Sequence, residues 1–356
     1  MEGTQSPSLR GRRFAAALAL SVLTFEGRAS AQQPTPAAAM PPRTYTGLVE
    51  SVSSQPVSGP ATAYPVYNVP CAPEPPVTMG CLDTIRESFC GTGKWRPLTF
   101  GSFFSEGWNE PWADCPAGQS GETPRHGWLG AFEGTFYRLW LVNGTYQNDL
   151  NKPFGGNGYG GNFAAFVPFS RRFEVYFNAP FISANGTEDR TNGYQSDFGD
   201  LQVAASFLLS ESAACTQLFT LGATLPTGRP ETGGGVTSIF PRYSFWGNPG
   251  GSWVVRGGAG VNVPLTDSSG LTTMNTSAAV GRYFRPHDVP FGDLVFYVNC
   301  NVVTPLEGHQ PTTVGVGPGT RFQIAGNWYF LNYLEVQVAG GKPFDFQVQA
   351  AIVKAW

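Results

Sequence analysis

From about residue 130 to Trp356 the chain repeats one pattern: runs of about nine to twelve residues, apolar and polar side chains alternating, each closed by a turn. Successive side chains of a strand point to opposite faces, so each run is a ribbon with one oily and one hydrophilic side. In FEVYFNAPF (173–181) Phe173, Val175, Phe177, Ala179 and Phe181 oppose Glu174, Tyr176 and Asn178. LQVAASFLL (201–209), WVVRGGAGVNV (253–263), LVFYVNCNV (294–302), VGVGPGTRFQI (314–324) and LEVQV (334–338) read the same way. FDFQVQAAIVKAW (344–356) places Phe344, Phe346, Val348, Ala350, Ile352 and Trp356 on one side, with Lys354 the interruption, a long cation able to reach an interface.

Counting runs and turn signals predicts about twelve strands, each long enough to cross a bilayer at a tilt. They fall near 131–146, 161–169, 172–182, 198–209, 216–226, 237–246, 252–265, 271–284, 292–304, 312–324, 327–339 and 343–356. Two architectures compete, a soluble β-sandwich and a membrane barrel. Sandwich strands are shorter, with a mode near five to six residues. The charged fraction is 13%, about half the roughly 25% of a soluble domain, and aromatics reach 14%. Charges fall on the polar faces, as at Glu174, Arg256, Arg321, Glu335 and Asp345. Phe181, Trp246, Trp253, Trp328 and Trp356 sit near strand ends, where an interfacial aromatic girdle belongs. In hydrocarbon no water satisfies the backbone, so membrane strands must close into a ring. The expected fold is therefore all-β, a transmembrane antiparallel up-and-down barrel of about twelve strands.

Ahead of the barrel, Arg10, Arg12 and Arg13, the apolar run FAAALALSVLTF and Ala29-Ser30-Ala31 form the three parts of a secretory signal peptide, residues 1–31. Residues 32–70 have the Pro-, Ala- and Ser-rich composition of a disordered linker. Residues 71–125 carry Cys71, Cys81, Cys90 and Cys115 together with the aromatic stretch FGSFFSEGWNEPW, and read as a disulfide-bonded cap or plug with LDTIRESF as a short helix. Export to an oxidising compartment favours two disulfides among those four, in any of three pairings, over a zinc site with His126. Cys215 and Cys300 fall in predicted strands, free or paired. Residues 126–356 are the expected barrel.

Charges inside a membrane barrel face the lumen, so Glu174, Asp200, Arg256, Arg321, Glu335 and Asp345 are the candidate lumen-lining residues. They would form either a selectivity surface or a salt-bridged filling, and Gly315, Gly317 and Gly319 leave room for larger side chains opposite. The net charge of -3 gives no sign of nucleic-acid binding. No HExxH, GxSxG or phosphate-loop sequence occurs, GGNGYGG (155–161) reads as a hairpin loop, and His126, His287 and His309 read as solvated loop residues. An enzyme, a metal or a cofactor is not expected. Asn143-Gly-Thr and Asn185-Gly-Thr read as turns rather than glycosylation sites.

A last strand closing on an aromatic resembles the signal read by outer-membrane assembly machinery. FGDLQVAASFLLSE (198–211) and LGATLPTGRPETG (221–233) resemble the outer-membrane barrel family associated with the MetA pathway of phenol degradation, through Gly199-Asp200-Leu201 and Leu225-Pro226-Thr227-Gly228. The resemblance spans about residues 130–356 and leaves 71–125 unaccounted for. It implies an outer-membrane location and passage of small hydrophobic or aromatic solutes. Partners would be outer-membrane lipid, the assembly machinery and the solute; a structural or binding barrel without transport is the alternative.

Overall fold

The computed structural model describes residues 78–91, 94–115, 123–149, 157–186, 194–228, 235–265, 271–285, 287 and 289–356. The signal peptide, the linker and Cys71 lie outside them. Every described residue belongs to one compact unit, within Pro70–Trp356.

One short helix, α1 (Cys81–Cys90), forms where LDTIRESF predicts it, with Gly80 before it and Asp83 in its first turn. The strands are β1 (Leu139–Asn148), β2 (Gly158–Pro168), β3 (Phe173–Gly186), β4 (Tyr194–Asp197), β5 (Leu201–Glu211), β6 (Cys215–Leu225) and β7 (Ser238–Gly250). They continue as β8 (Trp253–Pro264), β9 (Thr273–Tyr283), β10 (Val295–Pro305), β11 (Thr313–Ala325), β12 (Trp328–Ala339) and β13 (Phe346–Ala355). All belong to one antiparallel sheet. β1 pairs with both β2 and β13, and β2 with β3, so the ring closes; β4 pairs with the far end of the β3 edge that β5 also uses, in line with β5, leaving a closed twelve-strand barrel. Closure gives each of the twelve ring strands a partner on both sides.

The face assignments made from alternation hold. On β10, Phe296 and Val298 are exposed at 52% and 50%, while Val295, Tyr297 and Asn299 are buried on the other side. On β12, Leu334, Val336 and Val338 face out, and Tyr333, Glu335 and Gln337 face in. Phe344 and Trp356 are the exceptions in the last ribbon: both lie outside β13, Phe344 buried and Trp356 lining a cavity. An arginine on the outer face should therefore be costly. Val298→Arg, on the outward face of β10 between its end and its midpoint, is expected to lower the stability of the bilayer-inserted protein by about 1–3 kcal/mol, read from denaturant titration in vesicles.

The two ends differ. At one, β5–β6, β7–β8 and β11–β12 are joined by tight turns, at 212–214, 251–252 and 326–327. At the other, the loops 149–157, 226–237 and 265–272 are longer. The first strand begins at Leu139 rather than at 131, because 131–138 turns inward and becomes part of what fills the barrel. Asn143-Gly144-Thr145 is not a turn either. It lies within β1, with Gly144 paired to both Gly161 and Ala350.

Candidate functional site

The barrel is occupied by its own chain. Residues 123–138 run through the short-turn half of the interior, and 78–115 cover that mouth. Interior charge positions the inner segment. Arg256, on the inward face of β8 and 1% exposed, donates to the carbonyls of His126 (3.0 Å) and Phe132 (2.8 Å) and to the Tyr137 hydroxyl (2.7 Å), and lies 5.3 Å from the Trp128 ring. Arg321, inward on β11, donates to the Gly127 carbonyl (3.0 Å) and to Nδ1 of His126 (2.7 Å). From the opposite wall, the buried Glu174 carboxylate accepts the Tyr137 N–H at 2.6 Å. A guanidinium offers five donors and a stretch of irregular backbone offers unpaired carbonyls, so each supplies what the other lacks in a dry interior.

Apolar packing completes the seal. Trp128 stacks on Tyr297 with ring centres 4.7 Å apart, inside a cluster with Trp246, Val254, Tyr283, Val295 and Tyr333. Phe136 packs with Leu98, Leu208 and Leu218. The close fit uses glycine. A Cβ on Gly130, which has φ +77°, would fall 2.4–2.8 Å from the Tyr333 ring, and one on Gly319 would strike the Tyr297 ring. Gly315 makes the same room for the Glu335 carboxylate, as its position opposite larger side chains suggests.

At the rim, Arg171 and Arg172 bind the cap. Arg171 reaches the Arg96 carbonyl (2.5 Å) and the Glu211 carboxylate (2.8 Å). Arg172 donates to the carbonyls of Glu106 (2.9 Å), Thr99 (3.1 Å) and Leu208 (2.8 Å). Sequence reading passed over both because hairpin-turn arginines are ordinarily solvated. The signal was there: two adjacent arginines at a tight turn in a chain only 13% charged. Arg138 extends the attachment, donating to the carbonyls of Ser88 (2.9 Å) and Trp356 (2.5 Å).

Of the candidate lumen residues, Arg256, Arg321 and Glu174 converge on the inner segment. Glu335 bonds to Asn301, Tyr333 and Gln337 further along the interior. Asp200 stands in the loop before β5, where Oδ1 accepts the Gly228 N–H, and it ties two long loops together rather than lining the lumen wall. Asp345 lies between β12 and β13, its backbone bridging Asn148 and Gln337. Among the aromatics, Phe181, Trp253 and Trp328 face outward, the last two beside Arg282 and Lys354. Trp246 does not: even positions of β7 point inward there, and it is fully buried 4.3 Å under Arg125. Trp356 follows the end of β13 and lines the mouth cavity.

The cysteine expectation also changes. Cys81, Cys90, Cys115, Cys215 and Cys300 are free. Burial pushes the Cys115 thiol up to about 12, which makes it unreactive at neutral pH. The cap is held by hydrogen bonds and packing instead.

Among the described residues, two cavities border the inner segment and the mouth. One of about 160 Å³ lies between the inner segment and β1, β2, β12 and β13, walled by Trp128, Leu141, Asn143, Phe166, Arg256 and Arg321. A larger one, about 1030 Å³, opens at the short-turn mouth beside Asp114, Arg125, His126, His287, Asp293 and Tyr329. Beyond the inner segment the wall is lined with amides, with Asn143 bonded to Asn162, and Asn162 to Asn178.

His126 is not a solvated loop residue. Arg321 donates to its Nδ1, so Nδ1 is unprotonated, and Nε2 is 3.6 Å from Asp293, which also holds His287 at 2.7 Å. Burial first, then Arg321, His287 and Arg256, hold the His126 pKa well below the ordinary value. Docked, the ring stays neutral; released into water it titrates near 6.5. As pH falls below about 6.5 the released state takes up a proton the docked state refuses, so docking weakens by up to about 1.4 kcal/mol per pH unit. Tryptic cleavage at Arg125 is expected to accelerate between pH 7.5 and 5.5, and the acceleration to flatten in His126→Gln.

No family model and no curated protein matches the chain. Among solved structures it is similar to the COG4313 outer membrane channel from Pseudomonas putida F1, at 13% identity and TM-score 0.49, covering 65% of this chain and 99% of that one. It is also similar to the KdgM porin, at 7% identity and TM-score 0.43, covering 61% and 99%. The NanC porin gives 8% identity and TM-score 0.42, again over 61% and 99%. At such low similarity the reading of the site rests on its own geometry.

Proposed function

We propose that this protein is an outer-membrane β-barrel for passive passage of small solutes, closed at rest by residues 123–138. The observation that carries the reading is the means of closure. An apolar-walled ring of twelve strands holds an inner segment through inward arginines that grip backbone carbonyls. Apart from its peptide link into β1 such a plug is held by hydrogen bonds and packing, and it leaves an amide-lined half-lumen beyond it. In the orientation usual for such barrels the tight turns face the periplasm, so the plug enters from inside the cell envelope. The hydrophobic or aromatic solute class, suggested by the resemblance to the phenol-pathway family, is the finer form of the proposal. Reconstitution in planar bilayers tests it: rare brief openings are expected from the full chain, and long openings when the plug is loosened. A barrel that stays silent with its plug removed would instead be a structural element of the envelope.

A further inference from the structure

The aromatic turn Phe100–Phe104 at the tip of the cap makes no contact with the plug just described, yet it occupies a defined place. Leu98 bridges to Glu211 through paired backbone hydrogen bonds of 2.9 and 2.7 Å, prolonging the end of β5. The chain then turns through Ser102, with the Phe103 N–H bonded to the Phe100 carbonyl at 3.1 Å, and returns at Trp108. Trp108 does not enter the lumen. Its ring lies 6.2 Å from Phe207, which shares the outward face of β5 with Val203, opposite the buried Ala204, Ser206 and Leu208. Phe207 in turn meets Phe173 on the outside of β3 at 5.6 Å. An aromatic seam therefore climbs from the outer barrel wall, through Trp108 and Phe103 (5.4 Å apart), to Phe104 (5.0 Å from Phe103). It ends in two exposed rings, Phe104 at 91% and Phe100 at 68%.

We propose that the Phe100–Phe104 turn is a lipid anchor: it inserts into the headgroup–acyl boundary of the leaflet at the short-turn rim and holds the cap to the membrane. This rests on the membrane-barrel reading. The surface fits lipid because it continues the barrel's own outer wall. On the same rim Trp253 and Trp328 are exposed beside Arg282 and Lys354, the mixture of aromatic and cationic side chains expected where acyl chains give way to headgroups. The nearest acid, Glu106, is paired with Arg96 at 2.8 Å, so it does not set an unpaired negative charge against the bilayer. Two phenylalanines on a short turn are a compact wedge for that depth.

The test places the photo-crosslinker benzoylphenylalanine, close in shape to the residue it replaces, at position 104 of the full chain. The protein is reconstituted in phosphatidylethanolamine/phosphatidylglycerol vesicles, with the same probe at Phe296 on the barrel wall and at His309 in a loop at the opposite end. Lipid adducts at 104 and 296, each at least tenfold above 309, are the expected result. Adducts at 296 with only the 309 level at 104 overturn the anchor and leave the barrel reading standing, as does a protein–protein adduct at 104. Absence of adducts at 296 removes the barrel reading, and the anchor falls with it.

Discussion

Arg256→Met should convert a trypsin-resistant interior into a cleavable one and lengthen channel openings. The substitution keeps an apolar stem of similar length, so the barrel wall stays filled, but it removes the donors to His126, Phe132 and Tyr137. Hydrogen bonds from a charged group contribute about 1.5–3 kcal/mol each and are not additive, so a loss of about 3–5 kcal/mol of docking is expected. Each 1.4 kcal/mol is tenfold, which makes the plug-released population roughly a hundred- to several-thousandfold larger. The checks are tryptic cleavage after Arg125 and open time in planar bilayers. Heat-modifiable migration should stay unchanged, since none of the lost bonds joins strand to strand. If cleavage and open time both match the parent protein, the arginine is not what secures the segment.

Gly130→Val should release the same segment by a different physical route. Gly130 has φ +77°, a conformation that costs an L-residue about 1–2 kcal/mol, more if β-branched. Its added side chain would also enter the Tyr333 ring, and overpacking of that kind costs about 1–3 kcal/mol. Together these approach the effect of losing Arg256, though no hydrogen bond is removed directly. Combining it with Tyr333→Ala separates the two: the steric cost is relieved and the backbone cost stays, so protease resistance returns only in part. Full recovery in the double variant would mean that the turn at Gly130 carries no conformational strain.

Both substitutions bear on a feature that alternation does not encode. The pattern at Tyr297, Asn299 and Asn301 places these side chains on the inner wall, and the structure agrees, yet the same pattern is written whether that wall meets water or protein. The inner segment, 123–138, has no period of its own; Gly127, Gly130 and Gly134 break it into a path that only the surrounding wall shapes. For that reason 131–138 reads as strand from sequence, although it forms the end of the inner segment. Trp246 was assigned outward because an aromatic near a strand end suits an interface, and position alone does not separate the two faces there. The disulfide expectation finds no pair among the described cysteines for a similar reason: the export signal speaks to the compartment, whereas Cys81, Cys90 and Cys115 lie where the cap meets Arg138, Arg171 and Arg172.

What the amino-acid order settled by itself is the wall in outline: about twelve strands, most of their extents, and the outward face of those with clear alternation. Those are legible because every strand carries its own two-residue period and must offer lipid-compatible side chains on one side, independently of its neighbours. Tertiary structure alone decided what stands inside. Whether inward Arg256 and Arg321 line a water-filled path or grip a folded-in segment depends on which distant carbonyls come within about 3 Å of them. That meeting joins residues more than a hundred positions apart, and no local pattern records it.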